Sequence, residues 1–454
     1  MARDDETHDD SQRVPDLPLR AEPGVVVLFS AGRPAMSAFE VGAGLEIGRG
    51  TPDGILEDDE RVSRRHVRIA RRGSFWHVED LGSRNGVFVD GVKLDGSGVF
   101  ESRVLVRIGR SLLWVSTDVR PFLDRRKGGE ASSDMVMGAL LARAYGEIAL
   151  ASRAGDTLCV VGESGSGKEL AARAFHEARY GTSGVAPFVA LNCAAIPEGL
   201  AERLLFGARK GAYSGAATDA DGYIQSADQG TLFLDEIAEL DLLVQAKLLR
   251  VLETREVLPL GASRPKKVTL AICVASHKRL RDEVAANRFR EDLYFRVGRP
   301  EVALPPLRER LDEIPEFVAR ELAAVGSELT PSVTFVEAVA LRPWPGNIRE
   351  LLREVRRAGH RALGAGATVV EAEHLSEEAG ASLGSSPPGS DAKAAAARLS
   401  DDEILRALAE NGGNVRGTAR ALGMHRNQLR RWLDKRGEGE KVSGASTLPP
   451  DEES

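Results

Sequence analysis

The 454-residue chain has little cysteine, few aromatic residues and no long apolar run. Its three cysteines, Cys159, Cys193 and Cys273, are far apart and follow no metal-ligand spacing, so we expect buried free thiols in a reducing compartment. The first residues, MARDDETHDDSQ, lack the basic start and apolar core of a signal peptide. No apolar stretch approaches the roughly 20 residues that cross a bilayer. The sequence therefore predicts a cytoplasmic protein that does not enter the membrane.

Basic residues are concentrated near the C-terminus of a chain that is acidic as a whole. The net charge of −7 at pH 7 argues against indiscriminate binding to nucleic acid. Between Asn411 and Arg436, however, seven Arg or Lys residues stand against one acid, Asp434, which gives this segment a net charge of +6. A solvated helix face would explain such a segment, but the local asymmetry favours an anionic partner.

The first part of the chain has the pattern of a β structure. Short apolar runs such as VVVLF, HVRIA and RVLVRIG are separated by turn residues, including Asp90-Gly91, and predict an all-β sandwich over residues 24–118. Residues 1–23 are acidic and polar, and we expect them to be disordered. A polar linker, residues 119–134, follows the sandwich.

After this linker, strands alternate with longer helical stretches, which is the pattern of a nucleotide-binding α/β layer. We expect the α/β domain over residues 135–305 and an α-helical lid over residues 306–379. Residues 380–398 are too poor in large apolar side chains to pack and are predicted to be a second linker. Three short helical patterns in residues 399–437 predict a small all-α helix-turn-helix domain, and residues 438–454 a disordered tail.

The segment GESGSGKE follows an apolar strand and precedes a helical stretch. It fits the G-x-x-x-x-G-K phosphate loop, in which backbone N–H groups hold phosphates and the lysine reaches the β and γ oxygens. A match to this loop alone can arise by chance. Glu169 stands where a Ser or Thr would otherwise bind Mg²⁺. The candidate ATP-binding residues are Gly162, Glu163, Ser164, Gly165, Ser166, Gly167, Lys168 and Glu169.

A second motif, TLFLDE, places two acids at the end of an apolar strand. Asp235 is in position to hold Mg²⁺, and Glu236 to polarise the water that attacks ATP. An acidic loop at a strand end is the simpler interpretation of these residues by themselves. Because the two motifs occur in this order, we favour nucleotide hydrolysis.

Eight motifs occur in the order found in sigma-54-dependent transcriptional activators: GESGSGKE, LNCAAIPE, LFGARKGAYSGA, GTLFLDEIAEL, QAKLLRVLE, FREDLYFR, LPPLRER and WPGNIREL. Residues 133–375 resemble this family of bacterial enhancer-binding proteins, which are AAA+ ATPases. Glu169 fits the resemblance, since the family typically has glutamate after the loop lysine. The resemblance implies ATP and Mg²⁺ as cofactors and sigma-54 RNA polymerase as a partner.

The resemblance also implies roles for residues outside the two nucleotide motifs. Asn192 would be the switch that restrains Glu236, and Arg349 would be the sensor in the lid. Arg290 and Arg296 would be fingers that reach the ATP of a neighbouring subunit, which implies a ring, usually a hexamer. Apart from the resemblance, the simpler interpretation of arginines on a helix surface is that they face solvent.

The chain departs from the family at two further places. His277 stands where the family usually has a sensor Asn, which could slow or retune hydrolysis. Ala208-Arg209 replaces the usual His-Glu ahead of the GAYSGA segment.

The GAYSGA segment aligns with the family's GAFTGA loop, which projects from the ring and engages sigma-54 as ATP is turned over. Tyr213 replaces Phe and Ser214 replaces Thr, and both changes keep the chemical type. Coupling to sigma-54 is the expectation that follows. The candidate contact residues are Gly211, Ala212, Tyr213, Ser214, Gly215 and Ala216.

The motifs IGR, SRRH and DLGSRNGVFVDG give residues 24–118 a resemblance to a forkhead-associated (FHA) domain. The resemblance implies that loops at one end of the sandwich read a phosphothreonine peptide, and guanidinium and hydroxyl groups suit a dianionic phosphate. His66 would brace a loop rather than touch the peptide. Structural arginines are the alternative. The candidate peptide-binding residues are Arg49, Ser63, Arg64, Arg84 and Asn85.

The C-terminal segment EILRALAENGGNVRGTARALGMHRNQLRRWLDKRG resembles the Fis-type helix-turn-helix. An oligomerising three-helix unit is the alternative, and the charge of +6 argues against it. Residues that would face the DNA groove or its phosphates are Arg426, Asn427, Arg430 and Arg431.

Together these resemblances predict an ATP-hydrolysing activator that binds upstream DNA and remodels sigma-54 RNA polymerase closed complexes. The FHA domain stands where a receiver domain would, so a Ser/Thr kinase or another phosphothreonine protein is the implied upstream partner. Two alternatives stay open. The chain could be a DNA-binding regulator without sigma-54 coupling, or a phosphopeptide adaptor with a vestigial ATPase, which the intact Lys168, Asp235 and Glu236 oppose.

Overall fold

The computed structural model describes residues 21–51, 56–100, 104–123, 135–197, 199–212 and 218–382, together with Leu408. The residues predicted to contact DNA, and Tyr213, Ser214, Gly215 and Ala216 of the GAYSGA segment, lie outside these ranges. The described residues up to Gly380 belong to one compact unit. None of the described helices is long and apolar enough to cross a membrane.

The described residues of the N-terminal part form an all-β sandwich, as predicted. A six-stranded sheet has the order β2-β1-β10-β9-β6-β7, a four-stranded sheet has the order β3-β4-β5-β8, and their pairings are antiparallel. Trp76 lies in the apolar core between the sheets. The strands are β1 Gly24–Ser30, β2 Arg33–Glu40, β3 Leu45–Ile47, β4 Val67–Arg72, β5 Phe75–Asp80, β6 Val87–Val89, β7 Val92–Lys93, β8 Ser97–Phe100, β9 Val104–Ile108 and β10 Ser111–Ser116.

The central part is the expected α/β layer, in which a five-stranded parallel sheet has the order β12-β13-β16-β11-β17. Its strands, with a separate β14-β15 hairpin, are β11 Thr157–Val161, β12 Phe188–Asn192, β13 Thr231–Asp235, β14 Glu256–Val257, β15 Lys266–Lys267, β16 Ala271–Ser276 and β17 Glu301–Ala303. The helices up to this point are α1 Arg120–Leu123, α2 Ala139–Ala154, α3 Lys168–Tyr180, α4 Ala201–Phe206, α5 Tyr223–Ser226, α6 Leu242–Thr254, α7 Leu280–Ala285 and α8 Glu291–Val297.

The three cysteines are buried in or beside this sheet as free thiols, as predicted. Burial raises the pKa of Cys159 and of Cys193 to about 12, and that of Cys273 well above its ordinary value. All three therefore remain protonated and act as small apolar side chains.

A helical lid follows the sheet, as predicted, with α9 Ile314–Val325, α10 Val333–Ala340 and α11 Asn347–Gly364, and with a short parallel pair, β18 Thr330–Pro331 and β19 Val369–Val370. In α11, Leu351, Val355, Ala358 and Ala362 recur at helical spacing and are fully buried, whereas the arginines between them are largely exposed. This stripe joins α9, α10 and Trp344 in one apolar core.

Two strands of the six-stranded sheet, β1 and β10, are buried on both faces. Successive side chains of a strand point to opposite faces, so in β1 Val25 and Val27 lie in the core between the two sheets, whereas Val26 and Leu28 lie in the core of the lid. Residues 112–115 of β10 alternate in the same way. The run VVVLF is thus continuously apolar because neither of its faces meets water.

Helix α10 packs on β1, β9 and β10, and α9 packs on β2. This contact surface between the sandwich and the lid is the seam. Residues 119–123, which begin the predicted linker, form part of the seam and are not a polar connector. Val119 and Phe122 are buried there, and the Phe122 ring meets the edge of Trp114 at 5.3 Å between centroids. Apolar burial of this kind fixes the sandwich against the lid.

A charged pair closes the polar side of the seam. Nε of Arg107 on β9 lies 2.6 Å from Oε2 of Glu337 on α10, and the two side chains are only 14% and 5% exposed. The guanidinium also lies over the Phe88 ring, 3.9 Å from its centroid. Removing one member of a buried pair leaves the other charge uncompensated, which is more costly than removing both.

We therefore expect Arg107→Met to lower the free energy of unfolding of the full chain by about 3 kcal/mol, because Glu337 stays buried without its cation. The double variant Arg107→Met/Glu337→Leu should recover most of this loss. The exposed pair Arg65–Glu46 supplies the control, since Arg65→Met should change stability little. Denaturant titration of the four proteins is the measurement, and a double variant no more stable than Arg107→Met would contradict the interpretation.

Candidate functional site

The candidate nucleotide residues converge because parallel strands end at one edge of a sheet. The phosphate loop follows β11, Asp235 ends β13, and His277 follows β16. Asn192 ends β12, where it pairs in register with Asp235. The sheet order places these four strand ends side by side, so residues more than 100 positions apart share one site.

The phosphate loop has the backbone form that phosphate binding requires. Gly165 and Gly167 have φ angles of +74° and +105°, which disfavour any residue with a side chain. Lys168 begins helix α3, and its side chain is 7% exposed. The Ser166 hydroxyl is buried with no hydrogen-bond partner among the described residues. A loop with these glycines, ahead of a helix N-terminus, presents its N–H groups to an anion.

Lys168 contacts Glu236, and Asp235 accepts a hydrogen bond from the Glu236 backbone N–H at 3.1 Å. Nζ of Lys168 is 3.2 Å from Oε1 of Glu236 and donates to the Gly162 carbonyl at 3.1 Å. Burial raises the pKa of Asp235. Burial also acts to raise the pKa of Glu236, but hydrogen bonds from His277 and the charge of Lys168 outweigh it and lower that pKa. Glu236 is therefore ionised at neutral pH.

Glu236 has a strained backbone and a fully engaged carboxylate. Its φ and ψ angles of 53° and 49° lie in the left-handed region, which is rare for a residue with a side chain and concentrates at functional sites. Oε2 accepts hydrogen bonds from Nδ1 of His277 at 2.5 Å and from the His277 backbone N–H at 3.2 Å. The departure from the family at His277 thus lies directly against the candidate catalytic acid.

The other residues that the resemblance assigns to catalysis lie apart from Glu236 in their described contacts. The side-chain oxygen of Asn192 accepts a hydrogen bond from the Ala194 N–H at 2.9 Å. Arg290 pairs with Asp292 at 2.7 Å, and Arg296 donates to the Leu252 carbonyl at 3.3 Å. Neither arginine contacts the phosphate loop within the described part of the chain. Their roles between subunits remain predictions.

The lid closes directly over the phosphate loop. Nδ2 of Asn347 donates to Oε2 of Glu163 at 3.1 Å and to the Ser164 carbonyl at 3.0 Å, and the Ile348 N–H donates to the Gly165 carbonyl at 3.2 Å. Arg308 binds Glu163 through two hydrogen bonds of 2.9 and 2.8 Å. The start of α11 is thereby fixed to the loop.

Arg349 comes next on α11. Its Cβ lies 3.3 Å from the position that a Cβ on Gly165 would take, and its side chain is exposed. The structure therefore places this predicted sensor beside the phosphate loop, with a guanidinium that makes no ion pair among the described residues.

The candidate phosphopeptide residues lie on adjoining loops at one end of the sandwich. The Arg49 N–H donates to the Ser63 carbonyl at 3.1 Å, and the Arg84 N–H donates to Oγ of Ser63 at 3.1 Å. Asn85 donates to the Arg61 carbonyl at 2.6 Å. The side chains of Arg49, Arg64 and Arg84 are exposed. These loops thus present three guanidinium groups to a ligand.

His66 braces these loops, as predicted. The imidazole is fully buried, its Nδ1 accepts a hydrogen bond from the Ser63 N–H at 3.0 Å, and its Nε2 lies 3.2 Å from the Gly86 carbonyl. Burial lowers the pKa of His66, so the ring is neutral at pH 7 with its proton on Nε2.

The GAYSGA segment rises from a closed stem. Ala208 and Ala220 form an antiparallel bridge, and Ala208 is also bridged to Leu260. Asp219 pairs with the Arg209 guanidinium and accepts a hydrogen bond from the Lys210 N–H at 2.8 Å. Both ends of the segment are therefore held together, and Arg209, a departure from the family, helps to hold them.

Comparison with known families assigns the three parts of the chain. Residues 137–303 match the model of the sigma-54 interaction domain. This part of the chain is similar to sigma-54 interaction domains. Residues 45–111 match the FHA domain, and residues 394–435 match the Fis family of bacterial regulatory proteins. These matches confirm the resemblances inferred from the motifs.

Relatives of the sigma-54 interaction domain include transcriptional regulators. The chain is 47% identical over 203 residues to the putative uric acid sigma-54-dependent transcriptional regulator UacR of Escherichia coli, covering 43% of this chain and 34% of UacR. It is 38% identical over 296 residues to the transcriptional regulatory protein ZraR of Klebsiella oxytoca, covering 62% of this chain and 64% of ZraR. The chain thus spans less than two thirds of either relative.

A solved structure shares the fold. NtrX from Brucella abortus in complex with ADP superposes with a TM-score of 0.50 at 28% identity, over 68% of this chain and 70% of NtrX. The likeness agrees with an AAA+ fold for the sigma-54 interaction domain.

Sequence reasoning missed two residues of the site, Arg308 and Asn347, and the contact that His277 makes with Glu236. Arg308 and Asn347 lie inside LPPLRER and WPGNIREL, two of the quoted motifs. Their presence in ordered motifs was the available indication, but which loop they bind depends on the lid's position in space.

The approach of the lid depends on the missing side chain at Gly165. A Cβ there would lie 2.3 Å from the Gly346 carbonyl oxygen, whereas a Cβ on Gly167 would meet no atom within 4 Å. Both glycines have positive φ, so an alanine at either one incurs backbone strain of about 1–2 kcal/mol.

Gly165→Ala should therefore lower the unfolding temperature of the nucleotide-free chain more than Gly167→Ala does, because only the first also displaces the lid. Differential scanning fluorimetry on both variants measures this difference. Equal losses would show that backbone strain alone acts at Gly165.

Proposed function

We propose that this chain is an ATP-hydrolysing activator that remodels sigma-54 RNA polymerase closed complexes from upstream DNA and responds to phosphothreonine through its FHA domain. The observation that carries the proposal is the convergence of Lys168, Asp235 and Glu236 at one sheet edge of a sigma-54 interaction domain. ADP bound to NtrX, a structural neighbour, is consistent with that site.

The residues present suit Mg²⁺-ATP. Loop N–H groups, the Ser166 hydroxyl and Lys168 would hold the phosphates, and the Asp235 carboxylate supplies the hard oxygen that Mg²⁺ prefers. When bound, Mg²⁺ neutralises negative charge on the β- and γ-phosphates. With nucleotide bound, Lys168 would contact phosphate oxygen in place of Oε1 of Glu236. Glu236 would then accept a hydrogen bond from the attacking water, and Arg349, next to the phosphate loop, would sense the nucleotide.

The two predicted fingers support a ring of subunits, which we propose to be a hexamer. Arg290 and Arg296 lie on or beside α8, and Arg290 is 40% exposed in its ion pair with Asp292. An exposed guanidinium that does not reach its own phosphate loop is available to a neighbouring subunit. Hydrolysis should then rise with protein concentration.

DNA recognition is assigned to the Fis-family segment. Its charge of +6 within an acidic chain provides the attraction to phosphates, and Arg426, Asn427, Arg430 and Arg431 are the proposed contacts. These residues lie outside the described part of the chain, so the proposal rests on their sequence and on the family match.

The GAYSGA loop is the proposed contact with sigma-54. Its closed stem supports this role, because the Asp219 contacts fix the base of the loop. From the sequence alone, we expect the glycines of the segment to let it change conformation with nucleotide state. Tyr213 would supply exposed apolar surface to the partner.

Tyr213→Ala and Ser214→Ala should preserve assembly and basal ATPase activity but abolish open-complex formation, because they alter only the tip. Tyr213→Phe should be tolerated, and Ser214→Thr should equal or exceed the wild type. Glu236→Gln, which should lose both activities, is the control. The measurement pairs ATPase rate with transcription by sigma-54 polymerase on the same preparations.

Loss of both activities in Tyr213→Ala would show that the loop has a structural role. Full transcription by Tyr213→Ala would show that the contact with sigma-54 lies elsewhere. A wild type that hydrolyses ATP without forming open complexes would support the regulator that lacks sigma-54 coupling. Failure to hydrolyse ATP would support the phosphopeptide adaptor.

A continuous set of contacts supports regulation of the ATPase by the FHA domain. Arg107 of the sandwich binds Glu337 of α10. Nε1 of Trp344 donates to the α10 carbonyl of Val339 at 2.7 Å, and the Asn347 N–H donates to the Trp344 carbonyl at 2.8 Å. Asn347 then holds the phosphate loop. A phosphothreonine peptide that stabilises one position of the sandwich can thereby favour one position of the lid over the phosphate loop.

Arg49→Ala in the full chain should weaken binding of a phosphothreonine peptide by about tenfold to a hundredfold, because a hydrogen bond to a charged phosphate is lost. Arg72→Ala, at the opposite end of β4 from these loops, is the control and should bind normally. Fluorescence anisotropy with a phosphothreonine peptide library and its unphosphorylated counterparts measures both.

Coupling between peptide binding and ATP binding can be tested thermodynamically in the same binding assay. If the peptide changes the affinity for ATP by some factor, ATP must change the affinity for the peptide by the same factor. A library without binders, or indifference to Arg49→Ala, would count against phosphothreonine recognition. If the peptide binds but peptide and ATP leave each other's affinity unchanged, only the coupling of the two sites is contradicted.

A further inference from the structure

A cleft of about 430 Å³ lies between the sandwich and the lid. Its volume is within the range of roughly 300–1,000 Å³ that ligand sites have. One wall of the cleft carries the side chains of Arg61 and Arg110 from the sandwich. The other wall is formed by β18, β19 and the start of α10 from the lid. The cleft is thus separate from the nucleotide site, and its two walls belong to different domains.

A single buried carboxylate holds the two arginines side by side. Oδ1 of Asp59 accepts a hydrogen bond from the Arg61 N–H at 3.0 Å, and Oδ2 accepts one from the Arg110 N–H at 2.6 Å. Oδ2 also accepts a hydrogen bond from the Ser111 hydroxyl at 2.7 Å, and Asp59 is only 1% exposed. The Asp59 carboxylate is therefore bound by three donors of the loops, and it fixes the backbone from which both guanidinium groups project.

Both guanidinium groups are available to an anion. Arg61 and Arg110 are exposed, and neither makes an ion pair with any residue that the structure describes. Glu371, the acid that lines the cleft, already accepts a hydrogen bond from the Thr334 hydroxyl at 2.8 Å. The exposed acids of the loop that carries Arg61 line a neighbouring cavity and not this cleft. Two cations at one cleft favour a partner with a carboxylate.

The lid wall of the cleft includes exposed apolar surface. Val369 on β19 is 42% exposed, and Pro331 and Val333 line the same wall. Covering such surface is favourable for an apolar side chain, whereas a free phosphate ion would leave it exposed to water. The cleft therefore suits a peptide segment that carries one acidic and one apolar side chain.

The cleft adjoins the loops that are predicted to bind phosphothreonine. The Arg61 carbonyl accepts a hydrogen bond from Nδ2 of Asn85 at 2.6 Å, and Ser63 and Arg64 follow closely in the chain. An extended peptide advances about 3.3 Å per residue. A peptide that lies on these loops can therefore enter the cleft within a few residues of its phosphothreonine.

We propose that the cleft binds the segment that flanks the phosphothreonine of the partner protein, with an acidic side chain against Arg61 and Arg110 and an apolar side chain against Val369. The sandwich and the lid then bind the partner together, so the lid takes part in selecting which phosphorylated sequence is recognised. This inference rests on the proposed recognition of phosphothreonine by the FHA domain.

Two groups of phosphothreonine peptides provide the probe. In the first group all flanking residues are alanine, and in the second a Glu-Leu pair stands at successive positions on either side of the phosphothreonine. Fluorescence anisotropy with the full chain measures their affinities. At least one Glu-Leu peptide should bind about tenfold more tightly than the alanine peptide, because it adds a charged contact and an apolar one. Its unphosphorylated form should bind weakly.

Arg110→Ala should weaken binding of the preferred Glu-Leu peptide by about five- to tenfold, which lies between the effects of an exposed ion pair and of a hydrogen bond to a charged group. It should leave the affinity for the alanine peptide unchanged. Arg33→Ala is the matched control, because Arg33 is also exposed but lines the neighbouring cavity instead of the cleft.

The lid is tested by Val369→Glu, which removes the apolar contact and repels the acidic side chain of the peptide. It should weaken the Glu-Leu peptide by a similar factor and leave the alanine peptide unchanged. Leu341→Glu is the control, because Leu341 is 40% exposed on the lid but lies outside the cleft.

The proposal is overturned if no Glu-Leu peptide is preferred, or if Arg110→Ala binds the preferred peptide as Arg33→Ala does. It is also overturned if Val369→Glu binds that peptide as Leu341→Glu does, because the flank would then contact the sandwich alone. In each of these cases the alanine peptide still binds in an Arg49-dependent manner, so phosphothreonine recognition stands. Failure of every peptide to bind the wild type would refute phosphothreonine recognition itself, and this inference with it.

Discussion

Burial of strands β1 and β10 between two apolar cores determines how the described residues up to Gly380 fit together. Successive side chains of a strand point to opposite faces of the sheet, so Val26 and Leu28 face the lid whereas Val25 and Val27 face the other sheet. The lid in turn cannot leave this surface without exposing the apolar side of α10. The sandwich, the lid and the phosphate loop therefore belong to one packed body.

The parallel sheet imposes the second constraint. Its strands bring a lysine, two acids and a histidine to one edge, and the low exposure of Glu236 and Lys168 strengthens every charge interaction between them. Lys168 and His277 satisfy the Glu236 carboxylate through hydrogen bonds, and the left-handed backbone of Glu236 keeps its side chain in reach of both.

Local patterns predicted most of the fold and much of the site. The phosphate loop and Walker B acids were identifiable because the backbone geometry and charge of each are encoded in a few adjacent residues. The contact of His277 with Glu236 was not, since the two are 41 positions apart and meet only through strand order. The seam is not predicted for a different reason: the apolar run VVVLF predicts a strand, but the run itself does not show which element covers its second face.

The shared seam also bears on how such a chain can be rebuilt. An FHA sandwich is often pictured as a cassette that can be exchanged for another sensor. Here its outer sheet supplies one wall of the lid's interior, together with Val119 and Phe122 from the segment that follows. A replacement sensor would have to offer a matching apolar surface and a cation for Glu337, so the boundary for domain grafting lies within the seam rather than at the end of β10.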